Sequence, residues 1–338
     1  MISFLRKILT NTGPKPYFFN NFNIENKFKY KKNYLYSSKF HKNNKKTFYV
    51  IRRSPGAGMF SNFIYVLNHL EICEKLKFIP VVDMENFTTI YNEKNKINNT
   101  YNAWEYYFKQ VSNYSLKNVY KSKNIILTKN KFYKNFSHNI SNRKYRNIAD
   151  KFIKIDNLFL KKSESFFKKY LCKNTLAIHY RGTSYKTSAG HPFPATFKQS
   201  INYIKNLISK KKYKKIFLCT EDSKFFNEMK DNFKNNLFYF NSFRSKKDDA
   251  FLVYPRNNHR YKLGEEILVE SLIIAKCKGF LHATTNVSEF VKFLDKKKKI
   301  NYYKLDNGIN TTNEYLAPYL WYYKNIAPPL IGGFKKKL

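Results

Sequence analysis

The stretch LAIHYRGTSYK, residues 176–186, combines residue types that could bind a small anion. Its apolar first half is typical of a buried strand, and Arg181, Gly182 and Thr183 follow where that strand would end. A guanidinium holds phosphate oxygens in a bidentate fork, glycine lets the backbone come close to a ligand, and threonine adds a hydroxyl. The stretch therefore predicts an anion site, with an ordinary surface turn as the alternative.

Polar groups follow three other predicted strands as well. They are Gly56 and Gly58 with Asn62, then Thr220, Glu221 and Asp222, then His282 with Thr284, Thr285, Asn286 and Ser288. In open α/β sheets, ligands bind beyond the carboxyl ends of the strands. The last group lies where a strand gives way to a helix, whose free N–H groups and dipole could bind phosphate; a simple helix cap is the alternative. The glycine-rich turn is either a partial dinucleotide fingerprint or a tight turn.

Two series of alternating strands and helices would position these groups. The first contains the strands TFYVIRR, FIPVVDM and NIILT, the helix FIYVLNHLEICEKL, and a long basic helical region from Arg143 to Tyr170. The second contains the strands TLAIHY, KKIFLCTED, KGFLHATTN and KKINYYKL, and the helices FPATFKQSINYIKNLISK, SKFFNEMKDNF (with Ser223 as N-cap), GEEILVESLIIAKC and VSEFVKFL. This alternation is typical of an α/β fold with parallel sheets.

The domain organisation follows from these two series. Residues 1–46 are polar, basic and aromatic without a period, which predicts an irregular leader. We expect an N-terminal Rossmann-like domain at 47–170, a second domain at 171–305 and a C-terminal tail at 306–338.

The composition limits the function classes. The 338 residues are 43% hydrophobic and include 32 Phe and 28 Tyr, which excludes a disordered chain. The formal net charge of +41 could indicate nucleic acid or an anionic membrane. Lys, Asn, Ile, Phe and Tyr are over-used together, however, as a genome rich in A and T would produce. Because no nucleic-acid-binding motif accompanies the charge, we expect solvated lysine faces and no specific nucleic-acid partner.

The sequence predicts no metal site. Four cysteines lie far apart, at Cys73, Cys172, Cys219 and Cys277, without a CxxC pair or a His-Cys spacing that suits zinc. They are expected to be buried thiols in a reducing compartment.

Four of these segments together resemble the fucosyltransferase superfamily of protein O-fucosyltransferases, α-1,6-fucosyltransferases and nodulation fucosyltransferases. SPGAGMFSN is similar to its glycine-rich turn, IHYRGTSYK to its His-x-Arg signature, LCTED to its strand ending in Asp, and ESLIIAKCKGFLHATTNVSEF to its helix-strand-Ser/Thr segment. The resemblance covers most of residues 47–305 through the order of the motifs. It implies a GT-B fold of two facing Rossmann-like domains with a cleft between them.

The resemblance also implies a reaction: inverting, metal-independent transfer of fucose from GDP-fucose, the donor substrate, without a cofactor. By this comparison Arg181 would bind the β-phosphate and stabilise the departing GDP. Asn62 would face the reaction centre from the other domain. The other donor-binding residues implied are His179, Gly182, Thr183, Asp222, Thr284, Thr285, Asn286 and Ser288.

The chain departs from the family pattern at the general base. Ser184 stands where many relatives have an acidic residue, and residues 185–194 contain no carboxylate. His191 is the titratable group of general-base type in that stretch, and a plain polar loop residue is the alternative. In NAWEYYF, the aromatic residues Trp104, Tyr107 and Phe108 either pack in the core or form a platform for a sugar.

The leading hypothesis is therefore a fucosyltransferase-like glycosyltransferase whose partners are a nucleotide sugar and a glycan or protein acceptor. The alternatives are a basic nucleic-acid-binding α/β protein and a sugar-nucleotide-binding homologue that has lost catalysis. We expect a cytoplasmic location, with peripheral contact to the inner face of an anionic membrane through the basic surface.

Overall fold

A computed structural model describes residues 28–31, 34–37, 46–53, 56–129 and 135–335 of the chain. Most of the leader predicted at residues 1–46 lies outside these ranges, as do the first two residues of the predicted SPGAGMFSN turn. The strands are β1 (Phe28–Lys31), β2 (Tyr34–Ser37), β3 (Phe48–Ile51), β4 (Ile79–Val82), β5 (Ile125–Thr128), β6 (Thr175–Tyr180), β7 (Lys215–Thr220), β8 (Leu237–Tyr239), β9 (Gly279–His282) and β10 (Asn301–Lys304). The helices are α1 (Met59–Leu76), α2 (Leu116–Lys121), α3 (Arg143–Phe152), α4 (Asn157–Tyr170), α5 (Phe197–Lys211), α6 (Ser223–Phe233), α7 (His259–Ile274), α8 (Asn286–Leu294) and α9 (Ala317–Ile326).

The described residues form two compact units, one within residues 1–160 and 251–265 and the other within residues 161–250 and 266–338. The first unit holds a sheet with the strand order β1-β2-β5-β3-β4. Strands β5, β3 and β4 are parallel, whereas β1 and β2 pair in antiparallel fashion. The apolar runs FYVI and IILT are buried along their whole length, as strands covered on both faces must be.

The second unit holds a fully parallel sheet with the strand order β10-β9-β6-β7-β8. Its central strand β6 is buried at every position. One face of the sheet packs on α5 and α6, whose apolar side chains recur at helical spacing. The core of that face includes Leu176, Ile178, Ile204, Leu218, Phe225 and Met229.

Three features of the fold differ from the sequence predictions or extend them. The helical region predicted at Arg143–Tyr170 is two helices, because the backbone between α3 and α4 forms hydrogen bonds with another segment of the chain. Lys109 N–H donates to Lys154 O at 2.8 Å, and Asp156 N–H donates to Tyr107 O at 3.0 Å. Asp222, not the predicted Ser223, is the N-cap of α6. The sequence pattern also did not predict β1, β2, α2, β8 or α9. Within the described ranges, no helix combines the length and the apolar character needed to cross a bilayer.

Candidate functional site

The candidate site lies at the carboxyl edge of the second sheet, where the order of the strands reverses. From β6 the chain continues through β7 to β8 on one side, and later returns through β9 to β10 on the other. The neighbours β6 and β9 are in register at His179 and His282. Arg181 therefore follows one strand, and Thr285 the other, at the same edge of the sheet. Such a reversal is where open α/β sheets bind ligands.

Arg181 is held in a stack of planar groups. Its Nη2 donates a hydrogen bond to Ser184 Oγ at 3.1 Å, and its guanidinium carbon lies 5.2 Å from the ring centroid of Tyr185. The Tyr185 ring in turn lies 4.8 Å from the ring of His191. Burial and the charge of Arg181 lower the pKa of His191, so its imidazole is neutral at pH 7. The arrangement places a fixed cation beside a neutral base.

Glu221 organises the loop that carries Arg181, and sequence reasoning did not select it. Its Oε1 accepts hydrogen bonds from Gly182 N–H at 3.1 Å, from Thr183 N–H at 3.3 Å and from the Thr183 hydroxyl at 3.1 Å. The donors that we expected to face a phosphate are thus used within the protein. In the sequence, Glu221 belongs to the polar group Thr220-Glu221-Asp222 at the end of a predicted strand, but only Asp222 was predicted to bind the donor.

Asp222 is buried and has partners on both oxygens. Its Oδ1 accepts from Lys224 N–H at 2.9 Å and Phe225 N–H at 3.1 Å, which caps α6. Its Oδ2 pairs with Lys186 Nζ at 3.0 Å. A Cβ atom on Gly182 would stand only 2.5 Å from that Oδ2, so glycine is required there by close approach. Asp222 thus caps the start of α6 and, through Lys186, also holds the segment that follows Arg181.

Two buried histidines lie behind this edge, on neighbouring strands. Burial is the main cause that lowers the pKa of His179 to about 3 and that of His282 to about 4. His282 Nδ1 lies 2.9 Å from Ala283 O, and its ring stacks on Phe280. Among the described residues, His179 Nδ1 has no hydrogen-bond partner. Both rings are therefore neutral, and neither adds charge to the site.

The N-terminus of α8 forms the other side of the site. Thr285 Oγ1 accepts from Ser288 N–H at 3.1 Å, and Ser288 Oγ from Thr285 N–H at 3.1 Å, which is a complete capping box. The hydroxyls of Thr285 and Ser288 therefore cap the helix, as the alternative interpretation predicts. The N–H groups of Asn286 and Val287 precede the first intrahelical bond, so they can bind an anion with the helix dipole. Thr284 is exposed beside them.

The glycine-rich turn and Asn62 belong to the first unit. Gly56 has a φ of +103°, which only glycine adopts easily. Asn62 is 5% exposed, and its Nδ2 donates to Ala57 O at 3.3 Å, so the side chain holds the turn at the start of α1. A small pocket beside Asn62 is lined by Met59 and Trp104, among others.

The aromatic segment of the first unit packs in the core, as one of the two interpretations predicts. Trp104, Tyr107 and Phe108 are all buried, and the rings of Trp104 and Phe108 stack 4.4 Å apart. Trp104 Nε1 donates to Lys109 O at 3.0 Å. In the part of the chain that the structure covers, no cluster of three or more His, Cys, Asp or Glu side chains is placed to hold a metal ion.

Comparison with solved structures identifies the fold. A crystal structure of NodZ α-1,6-fucosyltransferase soaked with GDP-fucose matches 74% of this chain and 93% of its own, with a TM-score of 0.50 and 12% identity. NodZ co-crystallised with GDP matches 78% and 96%, with a TM-score of 0.51 and 12% identity. NodZ from Bradyrhizobium matches 80% and 100%, with a TM-score of 0.51 and 11% identity.

The chain has a NodZ-like fold. The predicted α/β fold class of GT-B type is thereby confirmed. No protein-family model matches the sequence, and neither does any curated protein sequence. At such low identity the NodZ-like fold alone carries over to this chain.

Proposed function

We propose that the chain is an inverting glycosyltransferase that moves fucose from GDP-fucose to a glycan or protein acceptor without a metal ion. The observation that carries this proposal is the placement of the Arg181 guanidinium and the N-terminus of α8 at the same edge of the sheet, after neighbouring strands. The two groups flank the point where the strand order reverses, and both favour the oxygens of a diphosphate. The NodZ-like fold supports fucose as the sugar, since the matched NodZ crystal was soaked with GDP-fucose.

In this mechanism Arg181 acts on the leaving group. The acceptor hydroxyl attacks the anomeric carbon from the side opposite the diphosphate, and the bond from that carbon to the diphosphate oxygen breaks. The bonding electrons leave with GDP, where the fixed guanidinium and the N–H groups of Asn286 and Val287 neutralise the new charge. His191 accepts the proton of the acceptor hydroxyl, because its lowered pKa keeps the imidazole neutral at pH 7.

The hydrogen bonds of Glu221 change the roles that the resemblance implied for Gly182 and Thr183. Since their N–H groups donate to Glu221, we propose that these residues shape the loop and do not contact the phosphates. Glu221 then acts as a positioning residue for Arg181. His179 is buried within β6, two residues before Arg181, and would help to hold the Arg181 loop in place.

The proposal is tested by GDP release from GDP-fucose, measured with pooled glycan and peptide acceptors in the presence of EDTA. Arg181→Ala should lower turnover about 10²- to 10³-fold, as removal of one stabilising donor does. Arg181→Lys should restore little, because an ammonium cannot form the fork. The matched control is Arg143→Ala on the exposed surface of α3, which should keep full turnover.

Unchanged turnover in Arg181→Ala would reject the assigned role of Arg181. Turnover lost in EDTA and restored by Mg²⁺ would reject the metal-free reaction. GDP binding without turnover on any acceptor would instead favour a sugar-nucleotide-binding protein that has lost catalysis.

A further inference from the structure

The C-terminal part of the chain exposes a cluster of large apolar side chains, which we call the C-terminal aromatic surface. Its members are between 50% and 98% exposed: Tyr315, Leu316, Tyr319, Tyr322, Tyr323, Ile326, Leu330 and Ile331. Scattered single apolar residues are normal on protein surfaces, whereas a contiguous group of this kind marks an interaction site.

Helix geometry places several of these side chains on one face of α9. Tyr319, Tyr322, Tyr323 and Ile326 recur at spacings of three and four residues, so they share a face. The opposite face carries Trp321, which is 7% exposed and whose Nε1 donates to Pro194 O at 2.8 Å. The helix therefore packs through Trp321 and presents its tyrosines outward.

The surface has a fixed shape beyond the helix as well. Tyr323 OH donates to Ile331 O at 2.7 Å, and Lys324 Nζ to Gly332 O at 2.8 Å. These bonds tie the turn that carries Leu330 back onto α9, so that Ile326 and Leu330 belong to one surface. A rigid apolar surface loses little conformational freedom when it is covered.

Charge and side-chain chemistry decide what covers it. Residues 307–338 contain one acidic residue, Glu314, against four lysines at positions 324 and 335–337. The whole chain carries a formal charge of +41, so a second copy would be repelled and an anionic surface attracted. Tyrosine combines an apolar ring with a polar tip and favours the boundary between lipid headgroups and acyl chains.

We propose that the C-terminal aromatic surface docks on an anionic lipid bilayer. The aliphatic side chains enter the boundary between headgroups and acyl chains, the tyrosine hydroxyls stay at headgroup level, and the positive charge of the protein is attracted to the lipid phosphates. Because Trp321 packs on Pro194, in the segment that follows Arg181, docking would hold the candidate site close to the membrane plane.

The experiment is co-sedimentation of the full chain with vesicles at physiological ionic strength. Vesicles of equal parts phosphatidylglycerol and phosphatidylcholine should bind the protein, and pure phosphatidylcholine vesicles should bind it weakly. Ile326→Ser/Leu330→Ser should lower binding about tenfold or more, since each substitution removes one apolar anchor. Leu76→Ser/Leu158→Ser changes two exposed leucines elsewhere and should bind as the wild type does.

Circular dichroism and the thermal midpoint establish that both double variants are folded. Three results would overturn the proposal. The wild type could fail to bind the phosphatidylglycerol vesicles. Ile326→Ser/Leu330→Ser could bind them as well as the wild type, which would leave charge alone as the attraction. The wild type could instead form a dimer in size-exclusion chromatography that this variant abolishes, which would make the occupant a second copy.

Discussion

Replacing Gly182 with alanine should destabilise the second unit and displace the loop of Arg181. The new Cβ atom would lie 2.4 Å from Tyr180 Cε1 and 2.5 Å from Asp222 Oδ2, roughly 1 Å inside normal contact. Neither neighbour can move easily. The Tyr180 ring stacks on Phe225 with centroids 3.8 Å apart, and its hydroxyl donates to Ala195 O at 2.9 Å.

The magnitude follows from these two contacts. Overpacking a filled site costs about 1–3 kcal/mol of unfolding free energy. Shifting Asp222 also weakens the N-cap of α6, which is worth about 1 kcal/mol. We therefore expect Gly182→Ala to lower the free energy of unfolding by about 2–4 kcal/mol, measured by urea titration followed by circular dichroism.

Gly58→Ala is the matched control. A Cβ at Gly58 meets no atom within 4 Å, and its φ of −66° suits alanine. The control should change the free energy of unfolding by less than about 1 kcal/mol, the upper range for exchanging glycine at an N-cap. If Gly182→Ala unfolds at the same urea concentration as the control, the predicted clash of the new Cβ atom with Tyr180 and Asp222 is refuted.

Three further predictions concern buried or bonded groups. Glu221→Ala removes the acceptor of three hydrogen bonds and should lower the free energy of unfolding by about 1–3 kcal/mol in urea, with Glu221→Gln in between; equal stability of Glu221→Ala and wild type would contradict its positioning role. Burial lowers the pKa of His179 to about 3, so the unfolded chain binds the proton first and stability falls as the pH drops below about 6.5. His179→Gln should therefore lose about 2 kcal/mol less than the exposed control His138→Gln between about pH 7.5 and about pH 5, and equal losses would refute this. Burial raises the pKa of Glu270 to about 7 from 4.5, so between these pH values the folded protein holds a proton that the unfolded chain has lost. The stability that this proton provides is complete below the unfolded pKa and is lost as the pH rises through about 7. Relative to wild type, Glu270→Gln should gain about 2–3 kcal/mol between about pH 5 and about pH 8, whereas the exposed control Glu228→Gln should gain nothing; identical pH profiles of Glu270→Gln and wild type would contradict the raised pKa.

The sequence predicted most parallel strands, because strands buried on both faces are continuous apolar runs. TLAIHY and KGFLHATTN became β6 and β9 with their polar residues at the expected ends. The three-residue edge strand β8 was too short to give a pattern. Helix α9 was missed because apolar residues occur on all its sides, so its sequence shows no helical period.

Residue type and position at a strand end single out Arg181 and the start of α8 in the sequence, and the structure places both at the carboxyl edge of one sheet. The hydrogen bonds of the neighbouring residues could not be predicted from the sequence. Glu221 contacts Gly182 across two strands, a pairing that depends on sheet register. Asp222 caps α6 through bonds to Lys224 N–H and Phe225 N–H, a local signal that the prediction of Ser223 as N-cap overlooked. Its ion pair with Lys186 joins residues far apart in the chain and is set by tertiary structure.

The most direct test of the central claim is a thermal shift of purified protein with GDP, UDP and ADP, repeated on Arg181→Ala and Arg143→Ala. A ligand that binds only the native state raises its apparent stability by mass action. We predict that GDP alone raises the unfolding midpoint of the wild type and of Arg143→Ala, and that the rise is lost in Arg181→Ala. A GDP shift of equal size in Arg181→Ala would contradict the assigned site, and a shift with UDP or ADP instead would contradict GDP-fucose as the donor.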